Sequence, residues 1–291
     1  MAVSVIIPAY NAAATIVRSV QSVLRQAGVA QVLVVDDASA DGTLAAARGI
    51  QDARVQVLSH PQNQGAAAAR NTGLAAATSE WVAFQDADDE WLPDKLAIQL
   101  RALAKTTDAA FCYTDMTRVR ADGQETPYPA PDVTQRVLVD PRTHDYAALR
   151  IGIGTCVIRR NALRAVGPFD GTLRALEDLD LLTRLLQKGS GLHVALPLVR
   201  YHEGQGVSSN PGRLADARLR LLARYQSMVQ DRRFVALQRR IVAEHLFQAG
   251  RVGPGLGQLV RCIAADAGQT GRVLRLVGWV ALGRHRRRPS R

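Results

Sequence analysis

The chain has 291 residues, 47% of them hydrophobic and 22% charged, with a formal net charge of +11 at pH 7. These proportions exclude an intrinsically disordered or collagen-like chain, and the length predicts one large domain or a domain with an appendage. No stretch reaches the ~20 uninterrupted apolar residues of a membrane span, and the apolar run from Val3 to Ile7 ends at Pro8 with no basic segment before it, so neither a span nor a secretory signal is expected. Cys112, Cys156 and Cys262 are scattered, odd in number and outside any metal-ligand spacing. They predict a reducing, cytoplasmic setting without a disulfide framework or zinc site.

In chain order, Val3 to Ile7 reads as a strand broken by Pro8-Ala9-Tyr10-Asn11, and Ala13 to Gln26 as a helix with Ile16, Val20, Val23 and Leu24 on one face. Gln31 to Val35 is a second strand, followed by a loop rich in cap residues, Asp36 to Gly42, and a helix over Thr43 to Arg48. Val55 to Leu58 is a third strand, Gly65 to Ala77 an alanine-rich helix, Glu80 to Gln85 a fourth strand, and Pro93 to Leu103 a helix with proline in its first turn. Apolar strands alternating with helices predict a mostly parallel sheet flanked by helices, with the strand-to-helix loops gathered on one edge. Further on, Asp122-Gly123 reads as a hairpin turn, Pro127 to Pro141 as a loop over the site, and Cys156 to Ile158 as a strand. From Gly212 the chain reads as helices, with one stripe through Leu214, Leu219, Leu221, Leu222 and Tyr225 and another through Val235, Leu237, Ile241 and Leu246. The predicted division is 1–210 for the sheet domain and 211–291 for a helical appendage with a basic tail.

The strand Trp81 to Phe84 runs into Asp86, Ala87, Asp88 and Asp89. Clustered carboxylates repel one another and become favourable around a hard divalent cation, so a metal–diphosphate site at the sheet edge is expected. Asp37, at the end of the second strand's run, is placed to accept a hydrogen bond from a nucleobase, with helix capping by Asp36, Ser39 or Asp41 as the alternative for this loop. Gly65 lets backbone approach closely at the helix start, and Arg70 can reach a base or phosphate or sit on the helix rim.

Val3 to Asn11, Val34 to Thr43, Asn63 to Gly73, and Asp86-Ala87-Asp88-Asp89 together resemble the successive signatures of family 2 glycosyltransferases with a GT-A fold. The resemblance covers roughly the first hundred residues strongly and weakens toward Ser208. It implies an α/β, GT-A type, Rossmann-like domain that binds a nucleotide-sugar donor, with a UDP-sugar favoured and Mn2+ or Mg2+ as cofactor. Pro8, Ala9, Tyr10 and Asn11 would line the nucleoside pocket, Asp37 would meet the base and Asp86 with Ala87 the ribose. Asp88 would hold the metal, with His202 as a late ligand on metal or diphosphate and Arg200 as another diphosphate contact. Asp178 would be the general base of an inverting transfer, with Glu177 as the alternative base or as the group holding the acceptor; these acids at a helix start also suit its positive end whatever their role. Gly204 to Ser209 would order over bound donor.

The chain lacks a Gln-x-x-Arg-Trp motif, so transfer of a single sugar is expected rather than processive polymerisation. The acceptor class implied is a hydroxyl of a glycan or lipid-linked glycan in envelope polysaccharide biosynthesis, reached in the cytoplasm or at the inner face of the plasma membrane. Two other readings are a degenerate nucleotide-sugar-binding module and a basic nucleic-acid-binding protein. Aromatics at 5% of the chain, and basic residues away from the strand-end loops, speak against nucleic acid as a partner. The arginine excess after Arg213, including Arg272, Arg275 and the run from Arg284 to Arg291, flanks apolar residues around Trp279. That segment suits either an anionic membrane surface or packing on the body or a second subunit of a dimer.

Overall fold

The computed structural model describes residues 1–106, 109–131, 145–204 and 210–281. In chain order the first unit contains β1 (Val3–Ala9), α1 (Ile16–Leu24), β2 (Val29–Asp36), α2 (Thr43–Arg48), β3 (Val55–Ser59), α3 (Ala66–Ala76), β4 (Trp81–Phe84) and β5 (Glu90–Trp91). It continues through α4 (Lys95–Leu103), β6 (Ala109–Val119), β7 (Glu125–Tyr128), β8 (Val157–Arg159), α5 (Arg160–Val166), α6 (Glu177–Lys188) and β9 (Ser190–His202). One nine-stranded sheet has the order β3-β2-β1-β4-β8-β6-β9-β5, with β7 paired to β6. The first four strands are parallel, as mostly apolar strands alternating with helices predict. Beyond β4 the sheet turns mixed: β8 lies antiparallel to β4 and β6, and β9 parallel to β6.

The parallel half puts the C-terminal ends of β1, β2 and β4 side by side, with Ala9 opposite Asp36 and Ile6 opposite Phe84. Helix α3 packs directly on β1. A methyl group built on Gly73 would lie 2.4 Å from Ile6 Cγ2, so only glycine permits that approach. Gly73→Ala is therefore expected to destabilise the protein by about 1–3 kcal/mol through overpacking, readable as a lower urea midpoint with an unchanged m-value.

A buried polar relay ties the mixed half together. Lys95 is fully buried against the Trp91 ring, 4.1 Å from its centroid, and donates to Gln99 Oε1 (2.8 Å). Gln99 Nε2 in turn donates to the carbonyls of Cys112 and Thr155. Burial pulls the Lys95 ammonium down to about 7, with the Cys156 and Cys112 thiols acting weakly the other way.

The structure corrects several local expectations. Asp94 takes a left-handed conformation (φ 62°) as the residue before α4, so Pro93 lies in the preceding turn and outside the helix. Pro127 and Tyr128 belong to β7, paired with Thr117 and Met116 on β6 across the Asp122-Gly123 turn, rather than to a loop. Residues 129–131 of that expected loop follow β7 outside any strand or helix, and 132–141 lies outside the described residues, as do 205–209 and the tail from 282.

The second unit is helical: α7 (Pro211–Tyr225), α8 (Arg232–Gln248), α9 (Val252–Ala265) and α10 (Thr270–Ala281). Asn210 and Asp231 cap α7 and α8 by accepting backbone N–H groups with their side chains. Tyr146 stacks edge-on against Phe234 and Tyr225. The stripe expected on α8 is shifted: Phe234, Ala236, Val242, Ala243, Leu246 and Phe247 are buried, while Val235, Leu237 and Ile241 are half-buried.

Candidate functional site

Two loops at the sheet edge frame one end of the site. Asn11 (φ 50°) receives the Ala40 N–H on its side-chain oxygen and gives its own N–H to Ser39 Oγ, joining the loop after β1 to the loop after β2. Tyr10 between them is exposed. Asp37 is buried, and both of its carboxylate oxygens are taken. Oδ1 accepts from Gln64 N (2.9 Å) and lies 2.7 Å from His60 Nδ1; Oδ2 accepts from Gly65 N (2.7 Å). Gly65 makes this possible with φ 92°. Asp37 thus fastens the start of α3 through contacts on both carboxylate oxygens. The neighbouring Asp36, also buried, receives Ser39 N on Oδ2 and has no partner for Oδ1 among the described residues. The sequence reading gave Asp36 only a capping role. The detectable signal was its place as the last residue of the strand, opposite Ala9.

Arg70 is the centre of the other end. It projects from α3, is buried, and donates through Nη1 to Glu177 Oε1 (2.6 Å) and through Nη2 to Asp86 Oδ1 (2.8 Å). Its guanidinium lies 5.6 Å from the Phe169 ring centroid, and Phe169 stacks edge-on against Phe84 of β4. Asn71 locks the Phe169 backbone with a reciprocal pair of hydrogen bonds, each 2.9 Å. Burial alone would lower the Arg70 pKa, but the charges of Asp86, Glu177 and Asp178 hold it above the ordinary value. Arg70 bonds carboxylates 16 and 107 positions away in the chain.

Asp178 stands beside this pair at the start of α6. Its Oδ1 accepts the Leu179 N–H (2.8 Å), and no second hydrogen bond reaches the carboxylate among the described residues. Burial and the Glu177 charge push its pKa up to about 6, with Arg70 and the Leu179 N–H holding it down in part. Asp180, two residues on, is buried in an ion pair with Arg184 and serves the fold.

The turn after β4 gathers the remaining acids. Ser19 of α1 donates to the Asp86 carbonyl (2.9 Å) and Arg18 to the Asp88 carbonyl (2.5 Å), fixing the turn while leaving the Asp88 side chain exposed. Partial desolvation and the Asp86 charge raise the Asp88 carboxyl. Asp89 is buried and raised well above the usual range by burial, then by Asp86 and Asp88; its Oδ1 receives the His202 N–H (2.9 Å). The His202 ring turns toward Glu90 Oε2 (3.2 Å), and Arg200 pairs with Glu125 (3.2 Å). Among the described residues no three His, Cys, Asp or Glu groups converge into a metal cage of their own. The donor chemistry nonetheless fits a hard divalent cation: Asp88 offers an exposed oxygen pair in a crowd of like charge that a cation would relieve. Gln85, immediately before this turn, is fully buried with neither amide atom partnered among the described residues, another polar residue that the sequence reading passed over.

Comparison with known proteins places the fold and the family. In fold, the chain resembles the crystal structure of S. aureus TarS 1-349 in complex with UDP-GlcNAc, with a TM-score of 0.67 at 18% identity over 98% of this chain and 88% of that one. It therefore has the GT-A architecture. The model of glycosyl transferase family 2 matches residues 4–166, and the chain belongs to that family. The Escherichia coli UDP-Glc:alpha-D-GlcNAc-diphosphoundecaprenol beta-1,3-glucosyltransferase WfgD is 32% identical over 214 residues, 72% of this chain and 80% of that protein. Succinoglycan biosynthesis protein ExoO of Rhizobium meliloti is 44% identical over 109 residues, 37% of this chain but 30% of ExoO, so the chain matches under a third of that relative's length.

Proposed function

We propose that this chain transfers one sugar, with inversion, from a nucleoside-diphosphate sugar to an acceptor hydroxyl in envelope polysaccharide or glycoconjugate assembly. The observation that carries the reading is the carboxylate arrangement around Arg70: Asp86 and Glu177 held by one guanidinium, with Asp178 beside them raised toward neutrality and with one oxygen uncommitted. A pKa near the working pH is what a general base requires. A UDP-sugar donor is supported by WfgD, whose name gives UDP-Glc, and by TarS, which holds UDP-GlcNAc. A lipid-linked diphosphate glycan is the acceptor class that WfgD's name supports.

In this reading the loop Pro8 to Asn11 lines the nucleoside pocket, with Tyr10 covering the base. Asp36 offers its unpartnered oxygen to the base N–H, while Asp37 holds the Gln64–Gly65 turn that shapes the pocket. Asp86, oriented by Arg70, meets the ribose beside Ala87. Asp88 would hold Mn2+ or Mg2+, joined by His202 once its ring leaves Glu90; the cation's chemistry is to neutralise charge on the leaving diphosphate. Asp178 takes the proton of the acceptor hydroxyl as that oxygen attacks the anomeric carbon from the face opposite the diphosphate. Glu177, fixed by Arg70, positions the acceptor.

A thermal-shift panel of UDP-, dTDP- and GDP-sugars with and without Mn2+ tests the donor half. The expected result is metal-dependent stabilisation of the wild type by one nucleotide and its loss in Asp88→Ala. Stabilisation by none of them would overturn the reading.

A further inference from the structure

Between positions 211 and 281 the chain has twelve arginines, no lysine and four acidic residues. Helices α9 and α10 bury Leu259, Cys262, Val273 and Leu276 in a common core with α8. The outward side of α9 is mostly apolar as well: Gly253, Leu256, Gly257, Val260 and Ala264 are exposed, with Arg261 at the edge of this face. A helix that is apolar on both sides needs a second apolar environment. Leu256 is 42% and Val260 69% exposed, and on α10 Leu274 is 65% and Val277 37% exposed. Four of the nine exposed large hydrophobic side chains among the described residues thus sit on these two helices, a concentration in one short stretch of chain.

The charge on these helices is unneutralised. Arg261, Arg272 and Arg275 are exposed, and none has a carboxylate partner among the described residues. Among the described residues Arg239 on α8 bonds to the neutral amides of Gln258 and Gln226, and its guanidinium pKa is lowered by burial and then by the nearby Arg261 charge. The one acid in the α9–α10 segment, Asp266, spends its carboxylate on Gly268 N and Gln269 Nε2.

We propose that the α9–α10 surface seats on a bilayer containing anionic lipid, with Leu256, Val260, Leu274 and Val277 at the acyl boundary and Arg261, Arg272 and Arg275 on the headgroup phosphates. A second copy of the chain on this face would set arginine against arginine with no carboxylate to meet them. A nucleic acid would satisfy the arginines but leave four aliphatic side chains, which stack poorly on bases, against water.

The test is flotation of the full chain with vesicles of phosphatidylcholine alone or doped with phosphatidylglycerol. It reads binding, not sugar transfer, so its outcome is independent of the transferase reading. The wild type is expected to float with the doped vesicles only. Val260→Asp/Leu274→Asp and Arg261→Glu/Arg272→Glu/Arg275→Glu are each expected to weaken partitioning at least about tenfold with unchanged thermal melts, since all five sites are exposed. The proposal is overturned if the wild type does not float, if neither variant set matters, or if only removal of residues 282–291 abolishes binding. It is equally overturned if light scattering shows a dimer that these substitutions dissociate.

Discussion

Asp178→Asn is expected to lower kcat by about 10²–10⁴-fold while leaving the metal-dependent thermal shift with donor intact. The substitution removes the proton acceptor without changing the size of the side chain, and an asparagine oxygen can still receive the Leu179 N–H. Glu177→Gln is expected to cost far less in kcat, because Glu177 already spends an oxygen on Arg70. In the wild type the rate should fall as pH drops through about 6, the value to which burial and Glu177 push Asp178. The same shift fixes a stability effect of opposite sense. A carboxyl raised from 3.8 to about 6 in the folded state favours folding most below 3.8, and that contribution is lost as pH rises through 6. At pH 8 the folded wild type therefore carries an ionised, desolvated carboxylate that asparagine removes. Asp178→Asn should melt at or above the wild-type temperature at pH 8 and lose that advantage by pH 4. A variant both inactive and less stable at pH 8 would assign Asp178 to the fold instead of the chemistry.

The parallel half of the sheet was legible because its strands are short, mostly apolar and separated by helices, so composition and topology agree, although β1 runs on through Pro8 to Ala9, where the sequence predicted a break. The mixed half was not. Strand β8 has only three residues, and β6 carries Thr114, Asp115 and Thr117, so neither its direction nor its partners follow from periodicity. On α8, Phe234 to Leu237 and Ile241 to Ala243 are two apolar runs that cover most of the helix circumference, which left the buried face undetermined. At the site, residue types were readable and partners were not. The choice between Asp36 and Asp37 turns on the backbone: Asp36 still belongs to β2, while Asp37 lies just beyond it, next to Ala38 in a left-handed conformation. Lys95 shows the limit most plainly, since nothing in the local pattern of α4 marks a lysine stacked on tryptophan in the core.

Arg70→Met is expected to be the most damaging single change to the site's architecture. It leaves Asp86 and Glu177 facing each other with no cation between them, and breaking such a pair costs about 3–5 kcal/mol when it is buried. The Asp86 side chain remains 36% exposed, so the lower end, about 3 kcal/mol, is expected from urea unfolding. Lysine should not rescue it, because an ammonium cannot offer two nitrogens in one plane to two carboxylates. Adding Glu177→Gln removes one of the stranded charges, so the double variant should be more stable than the sum of the single losses predicts. A purely structural role ends there. The proposed catalytic arrangement requires one thing more: the Arg70 charge also holds Asp178 down, so in Arg70→Met the acidic limb of the pH–rate profile should move to higher pH. An unmoved limb in a folded Arg70→Met would mean that Arg70 and Asp178 are not electrostatically joined in the working enzyme, and that the base lies elsewhere.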